Sequence, residues 1–282
     1  MYLFARVEQL QRHLRLLKSQ GRTIGFVPTM GALHEGHLSL LQRCHSDGCV
    51  AVCSIFVNPT QFNEASDLEK YPRTPANDVE MLLKVGCEVL FMPPVAEIYD
   101  QGMDTQVDLP LGHLETAMEG QFRPGHFVGV VQVVKRLLDI VEPEALYMGQ
   151  KDYQQVAIIR HLIRTLQLPV NLVMGATVRE SDGLAMSSRN VRLTPAQRQI
   201  APQIYQTLLQ AKAMTAHKMP AEISQFGMRQ LERLGFRPEY FEIVDADTLE
   251  TVTEYPSARQ MVACVAVWLG EVRLIDNLLL SD

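Results

Sequence analysis

The chain has 282 residues, with 26 Lys and Arg against 32 Asp and Glu, so its formal net charge is −6. A net-acidic chain is a poor candidate for non-specific binding to duplex DNA or to an anionic membrane, but this balance does not exclude a local basic pocket for a phosphate ligand. A hydrophobic content of 47% with 21% charged residues excludes disorder. At about 150 residues per domain, the length corresponds to two domains.

The five cysteines are odd in number and form no Cys-x-x-Cys pair. This usage favours reduced packing residues in a cytoplasmic protein over a disulfide framework or a structural zinc site. The segment from Met1 to Arg12 is charged and lacks an apolar core with a cleavage site, so it is not expected to be a signal peptide. The most apolar stretch, 128–141, is interrupted by polar residues and is too short to span a bilayer, so no membrane partner is expected.

The first two-thirds of the chain alternates predicted helices and strands. Helical periodicity predicts helices at about 7–17, 37–47, 78–85, 127–141 and 153–166. Apolar, β-branched runs predict strands at about 23–27, 49–57, 88–92, 145–148 and 170–174. Continuous apolar strands separated by helices indicate a parallel sheet covered on both faces. The predicted fold class is therefore α/β, with a Rossmann-like, doubly wound parallel sheet.

The pattern changes after about residue 181. Thr194 is predicted to begin one long helix with Pro195 in its first turn, and a second helix is predicted at 221–234. Strands are predicted at 240–244, 260–269 and 272–279, the last two joined by a tight turn. We therefore expect a first domain over residues 1–180 and a smaller α+β domain over residues 181–282.

The first predicted strand runs into the segment from Pro28 to His37, which is neither a Walker loop nor a Gly-x-Gly-x-x-Gly turn. It lies at the carboxyl end of a strand and before a helix, where open α/β sheets bind ligands and helix amides attract phosphate. His34 and His37 are separated by two residues, and imidazoles can stabilise the charge that develops in phosphoryl transfer. The alternative is that both histidines are ordinary residues of a helix N-terminus.

A second loop, residues 149–152, follows the strand predicted at 145–148. Lys151 carries a point charge suited to phosphate oxygens, and Gln155 lies one turn further on the same helix face. Asp152 fits either ligand binding or simple capping of the next helix.

Two further segments have a functional and a structural interpretation each. In the segment 186–190, two hydroxyls beside Arg189 suit an anion clamp or a solvated turn. In the segment 58–62, Gln61 offers a donor and an acceptor for a hydroxylated carboxylate, or is a polar turn residue.

Taken in order, these segments resemble the pantothenate synthetase family (pantoate–β-alanine ligase, AMP-forming). The motifs that carry the resemblance lie at 26–37, 58–62, 71–74, 123–130, 149–155 and 186–190. The resemblance covers about residues 23–195 and continues more loosely to the C-terminus. The His-x-Gly-His loop is also similar to that of the wider nucleotidyltransferase superfamily, which includes class I aminoacyl-tRNA synthetases.

The resemblance implies a reaction in two steps. ATP, with Mg²⁺ on its phosphates, and pantoate form pantoyl adenylate and pyrophosphate. β-Alanine then attacks the acyl carbon, releasing pantothenate and AMP. The resemblance also implies a homodimer with small-molecule substrates and no nucleic-acid partner.

The same resemblance assigns site residues. The expected ATP-binding residues are Met30, Gly31, Ala32, Leu33, His34, Glu35, Gly36, His37, Gly149, Gln150, Lys151, Asp152, Val178, Met186, Ser187, Ser188 and Arg189. The expected catalytic residues are His37 as proton donor, His34, Lys151 and Arg189. Gln61 and Gln155 are expected to bind pantoate, and Gln61 also β-alanine. Asp78 matches a possible magnesium position by approximate alignment only.

Three alternatives to this ligase are considered. Another nucleotidyltransferase on the same fold would act on a different acceptor, but Gln61 and Gln155 together resemble a pantoate pocket. A tRNA synthetase is disfavoured by the net charge of −6 and the short C-terminal domain. A catalytically inactive nucleotide sensor would bind ATP without releasing pyrophosphate.

Because a reactive adenylate must be kept from water, we also expect the C-terminal domain to act as a lid that carries residues 187–189.

Overall fold

The computed structural model describes residues 1–62, 65–99, 102, 106–255 and 260–280. Its strands are β1 (Tyr2–Phe4), β2 (Ile24–Thr29), β3 (Val50–Ile55), β4 (Val89–Phe91), β5 (Ala145–Gly149), β6 (Asn171–Gly175), β7 (Arg237–Asp245), β8 (Met261–Leu269) and β9 (Val272–Leu279). Its helices are α1 (Val7–Ser19), α2 (Glu35–Ser46), α3 (Ala65–Lys70), α4 (Pro75–Lys84), α5 (Val95–Ile98), α6 (His113–Thr116), α7 (Glu119–Phe122), α8 (His126–Val141), α9 (Tyr153–Thr165), α10 (Pro195–Ile200), α11 (Gln203–Met214) and α12 (Pro220–Arg233).

The chain forms two compact units. The first contains residues 1–110, 123–149 and 158–176, and the second contains residues 111–122, 150–157 and 177–282. Two segments from the first two-thirds of the chain thus group with the C-terminal residues. The division into domains 1–180 and 181–282, and the lid role of the second, stay predictions.

The first unit is built on a six-stranded sheet in the order β1-β4-β3-β2-β5-β6, with parallel strand pairs. This confirms the predicted doubly wound α/β fold. From β2 the chain adds β3 and β4 on one side and later β5 and β6 on the other, so the strand order reverses between β2 and β5. In open α/β sheets, ligands bind outside the carboxyl ends of the strands at such a reversal.

Helix α2 packs against this sheet over two glycines. A Cβ atom on Gly25 of β2 would clash with the Cys44 Sγ atom and lie 2.9 Å from the Tyr147 ring. A Cβ atom on Gly175 of β6 would clash with the Leu40 side chain. The buried face of α2, which includes Leu41, fills the remaining space. This packing fixes the start of α2 beside the carboxyl end of β2.

The second unit contains the antiparallel sheet β7-β8-β9, in which Leu269 pairs with Val272 across the predicted two-residue turn. The prediction of one long helix after Thr194 was wrong, because α10 ends at Ile200 and α11 begins at Gln203. Pro202 lies between them, and proline lacks the amide hydrogen that a continuous helix needs. The sequence reasoning also missed β1 and the short helices α3, α5, α6 and α7.

No helix among the residues described above has the length and apolar character needed to cross a membrane.

The five thiols are expected to be unreactive in the native protein. All five cysteines are buried, and burial raises the pKa of four of them, that of Cys87 to about 12. Because the thiolate is the reactive form, iodoacetamide at mildly alkaline pH should leave the folded protein unmodified and alkylate five thiols after unfolding in denaturant. Mass spectrometry before and after unfolding measures this. Rapid labelling of any cysteine in the folded protein would contradict it.

Candidate functional site

In the first unit, the loop after β2 turns sharply. Gly31 has φ +80 and Ala32 has φ +49, both in the left-handed region. The Thr29 hydroxyl accepts a hydrogen bond from the Gly31 amide at 3.2 Å. A Cβ atom on Gly31 would lie 3.0 Å from both Asp78 Oδ2 and Ile55 Cγ2. This close approach, added to the positive φ, explains why glycine occupies the position.

Asp78 holds this loop in place. Its side chain is 1% exposed and accepts hydrogen bonds from the Ala32 amide at 3.0 Å, the Leu33 amide at 2.8 Å and the Thr74 hydroxyl at 3.0 Å. Both carboxylate oxygens are thus engaged by protein donors. In the described part of the chain, no group of three or more His, Cys, Asp or Glu side chains could hold a metal ion. These contacts fit an anchor for the loop and fit a magnesium ligand poorly.

Substituting Asp78→Asn should destabilise the fold by about 1–3 kcal/mol, because the new amide group places a donor against a buried backbone amide. Urea unfolding measures the change in the free energy of unfolding. Asn77→Ala, at the exposed neighbouring position, is the matched control and should have little effect. Unchanged stability in the Asp78→Asn variant would contradict the anchoring role.

His34 and His37 form the N-terminal cap of α2. His34 Nδ1 accepts from the Gly36 amide at 3.1 Å, and His37 Nδ1 accepts from the His34 amide at 3.3 Å. In each neutral ring the proton is therefore on Nε2. The two ring centroids are 4.1 Å apart. Two adjacent imidazoles with protonated Nε2 atoms, at the positive end of a helix dipole, can stabilise anionic oxygens.

Gln61 lies close to the same loop. Its Nε2 atom is 3.0 Å from the Met30 sulfur, and its Oε1 atom accepts from Asn58 Nδ2 at 3.3 Å. The Gln61 carbonyl accepts from His126 Nδ1 at 2.7 Å, and Asn58 Nδ2 also donates to the Gly129 carbonyl at 3.1 Å. The first unit thus brings Gln61 into contact with Met30 of the loop 30–37. Sequence reasoning assigned no role to Asn58 or His126, although both lie in motifs that it singled out.

In the second unit, residues 150–152 form a single 3₁₀ turn before α9. The Lys151 ammonium lies 3.5 Å from the Asp152 carboxylate. The Asn277 side chain donates to the carbonyls of Gln150 and Lys151, both at 2.9 Å. Gln155 lies one turn further, on α9. Lys151 and Asp152 therefore lie in the turn and Gln155 in the first turn of α9, so the shared helix face expected for Lys151 and Gln155 stays a prediction.

Two other predicted segments also belong to the second unit. The Met186 amide donates to the Val178 carbonyl at 3.0 Å, which joins the start of one segment to the other. The Ser187 hydroxyl accepts from the Arg189 amide at 3.2 Å and caps the 3₁₀ helix that Ser188 begins. Arg189 is half-buried. The second unit thus brings residues 178 and 186–189 together.

The chain matches the family model for pantoate-beta-alanine ligase over residues 2–279. It is 45% identical to a pantothenate synthetase from Porphyromonas gingivalis over the full length of both chains. Among solved structures, a pantothenate synthetase from Thermus thermophilus is 40% identical with a TM-score of 0.92 and complete coverage of both chains. A pantoate–β-alanine ligase from Francisella tularensis, crystallised with β-γ ATP and β-alanine, is 34% identical with a TM-score of 0.83, covering 99% of this chain and 98% of its own.

Proposed function

The chain belongs to the pantoate–β-alanine ligase family. We propose that it catalyses the ligase reaction through a pantoyl-adenylate intermediate. The protein is an ATP-dependent ligase that joins pantoate to β-alanine to give pantothenate. In the first step, a pantoate carboxylate oxygen attacks the α-phosphorus of ATP. The bond from that phosphorus to the bridging oxygen breaks, and pyrophosphate leaves.

In the second step, the amine of β-alanine attacks the acyl carbon of the adenylate. The bond between that carbon and the phosphate-linked oxygen breaks, AMP leaves with the oxygen, and the nitrogen loses a proton. Pyrophosphate and AMP are good leaving groups, so the protein must mainly orient the reactants and neutralise charge.

The observation that best supports the proposed role of the histidines is their shared tautomer. Because backbone amides donate to both Nδ1 atoms, His34 and His37 keep their protons on Nε2. We assign His37 to donate to the phosphate oxygen on which negative charge grows as pyrophosphate leaves, and His34 to bind the phosphates beside it. The remaining loop residues, from Met30 to Gly36, form one wall of the proposed ATP site.

The remaining roles are proposed from the charges of Lys151 and Arg189 and from the motifs of the family. Lys151 and Arg189 are assigned to the phosphates, with Gly149, Gln150, Met186, Ser187 and Ser188 as further ATP contacts, Asp152 on the ribose and Val178 at the adenine. Gln61 and Gln155 are assigned to pantoate, and Gln61 to β-alanine in the second step. Mg²⁺ is proposed to enter with ATP, bound to its phosphates.

We also propose that the enzyme works as a cytoplasmic homodimer. This rests on its membership of the family and on the reduced, buried cysteines. Light scattering should give twice the chain mass of 31.8 kDa. A monomer at the protein concentrations used for assay would contradict the dimer.

The test of the proposed function is pyrophosphate release from MgATP by the purified protein. Pantoate alone should give a burst of pyrophosphate no larger than the enzyme concentration, because the adenylate stays bound. Adding β-alanine should then give steady release of pyrophosphate with AMP and pantothenate. Release that needs β-alanine from the first turnover would contradict the adenylate step, and ATP binding without any release would indicate a nucleotide sensor.

A further inference from the structure

Strand β9 carries two adjacent polar residues inside the second unit. Asp276 is 4% exposed and Asn277 is 2% exposed. Burying a carboxylate and an amide costs free energy unless both are well hydrogen-bonded, so the hydrogen-bond partners of these side chains indicate their structural role. The proposed reaction assigns neither residue a role.

The side chain of Asn277 is directed entirely at the turn that carries Lys151. Its Nδ2 atom donates to the carbonyl oxygens of Gln150 and Lys151, both at 2.9 Å, and its Oδ1 atom accepts from Gln150 Nε2 at 3.1 Å. One amide group therefore holds the peptide units on both sides of the Lys151 Cα atom. This fixes the point from which the Lys151 side chain extends.

Asn277 is itself held in place by the partly buried ion pair between Arg179 and Asp276. The backbone amide of Asn277 donates to Asp276 Oδ1 at 2.8 Å. The Arg179 guanidinium donates hydrogen bonds to both Asp276 carboxylate oxygens, at 2.6 and 3.0 Å. Its central carbon atom lies 3.6 Å from the centroid of the Tyr205 ring. A bidentate arginine–carboxylate pair has a defined geometry, so it limits movement of the strand at Asn277.

We propose that Asn277 is a positioning residue, which orients the 150–151 turn so that the Lys151 ammonium meets the phosphates of ATP. The inference rests on the proposed function only in giving Lys151 that contact. A lysine has a long flexible side chain, so its charge is placed well only if the backbone at its base is fixed. A shift of about 1 Å at a binding group can cost about 100-fold, which makes such anchoring consequential.

The test measures the dissociation constant of a non-hydrolysable ATP analogue by calorimetry on the full-length protein. Asn277→Asp keeps the shape of the side chain but turns carboxylate oxygens toward the two carbonyls. Asn277→Ser, which keeps one hydroxyl donor, serves if the first variant does not fold. The matched control is Thr207→Val, a buried substitution in α11, where the Thr207 hydroxyl donates to the Gln203 carbonyl of the same helix at 2.8 Å. Each variant is made alone and together with Lys151→Ala.

The Asn277 variant should weaken analogue binding about 10-fold in the parent protein and hardly at all when Lys151 is already alanine, because coupled residues are non-additive. Equal weakening in both backgrounds, or equal weakening by Thr207→Val, would mean a purely structural role and overturn the inference. If Lys151→Ala weakens binding but Asn277→Asp does not, the inference alone fails. If Lys151→Ala leaves binding unchanged, the proposed role of Lys151 fails and the inference fails with it.

Discussion

Substituting His37→Gln should lower the rate of pyrophosphate formation by about 100- to 1,000-fold, which is the usual effect of removing one donor to a developing charge. The fold should survive, because glutamine at the third position of a helix can accept from the capping residue's amide as His37 Nδ1 does now. The assay is a single turnover of MgATP and pantoate without β-alanine. Circular dichroism and urea unfolding verify that α2 remains capped.

A second pair of variants separates capping from chemistry at these histidines. His34→Asn keeps a good helix cap. His37→Ala removes both the imidazole and the capping contact, so this variant should lose stability as well as rate of pyrophosphate formation. The stability difference between His37→Ala and His37→Gln should be about 0.5–2 kcal/mol. Turnover at the parent rate in His37→Gln would remove His37 from the mechanism.

Substituting Gly129→Ala should lower kcat/KM for pantoate by about 100-fold, because it displaces Gln61. A Cβ atom on Gly129 would lie 2.7 Å from the Thr60 carbonyl carbon and 2.8 Å from the Gln61 Cα atom. Both are backbone atoms, so the turn must move away from α8 rather than adjust a side chain. Overpacking of this kind also costs about 1–3 kcal/mol of stability, which urea unfolding measures.

The control for this variant is Val128→Ala on the same helix, since the Val128 side chain is 42% exposed. It should keep the parent's stability and its kcat/KM for pantoate. The Gly129→Ala variant should also keep the parent's affinity for the ATP analogue, because Gln61 is assigned to pantoate and not to the nucleotide. An unchanged kcat/KM for pantoate in Gly129→Ala would contradict the proposed role of Gln61 in binding pantoate.

Local sequence patterns were sufficient for most of the fold. The run from Val50 to Ile55 is largely apolar and rich in β-branched residues, which is typical of a strand buried on both faces. By contrast, β1 has three residues, two of them exposed, and its pairing partner β4 lies far along the chain. The break at Pro202 was missed because the apolar periodicity continues on both sides of it.

The candidate site divides in the same way between local and long-range information. His34 and His37 stand in one short motif, so spacing and residue type were enough to single them out. The Asp78 carboxylate accepts hydrogen bonds from loop amides at least 45 positions away in the chain. The Asn277 side chain donates to carbonyls at least 126 positions away. No local pattern marks such partners, since a buried aspartate or asparagine looks like any polar residue until its hydrogen-bond partners are known.

The central claim is that this chain makes pantothenate through an adenylate, and the fate of one oxygen atom tests it most directly. With pantoate labelled by heavy oxygen in its carboxylate, one labelled atom should appear in the phosphate of AMP, because the oxygen that attacks phosphorus stays there when the amine displaces it. Mass spectrometry of the AMP formed in the complete reaction gives the answer. Unlabelled AMP, or label in pyrophosphate or phosphate, would contradict the adenylate and the roles assigned to His34 and His37.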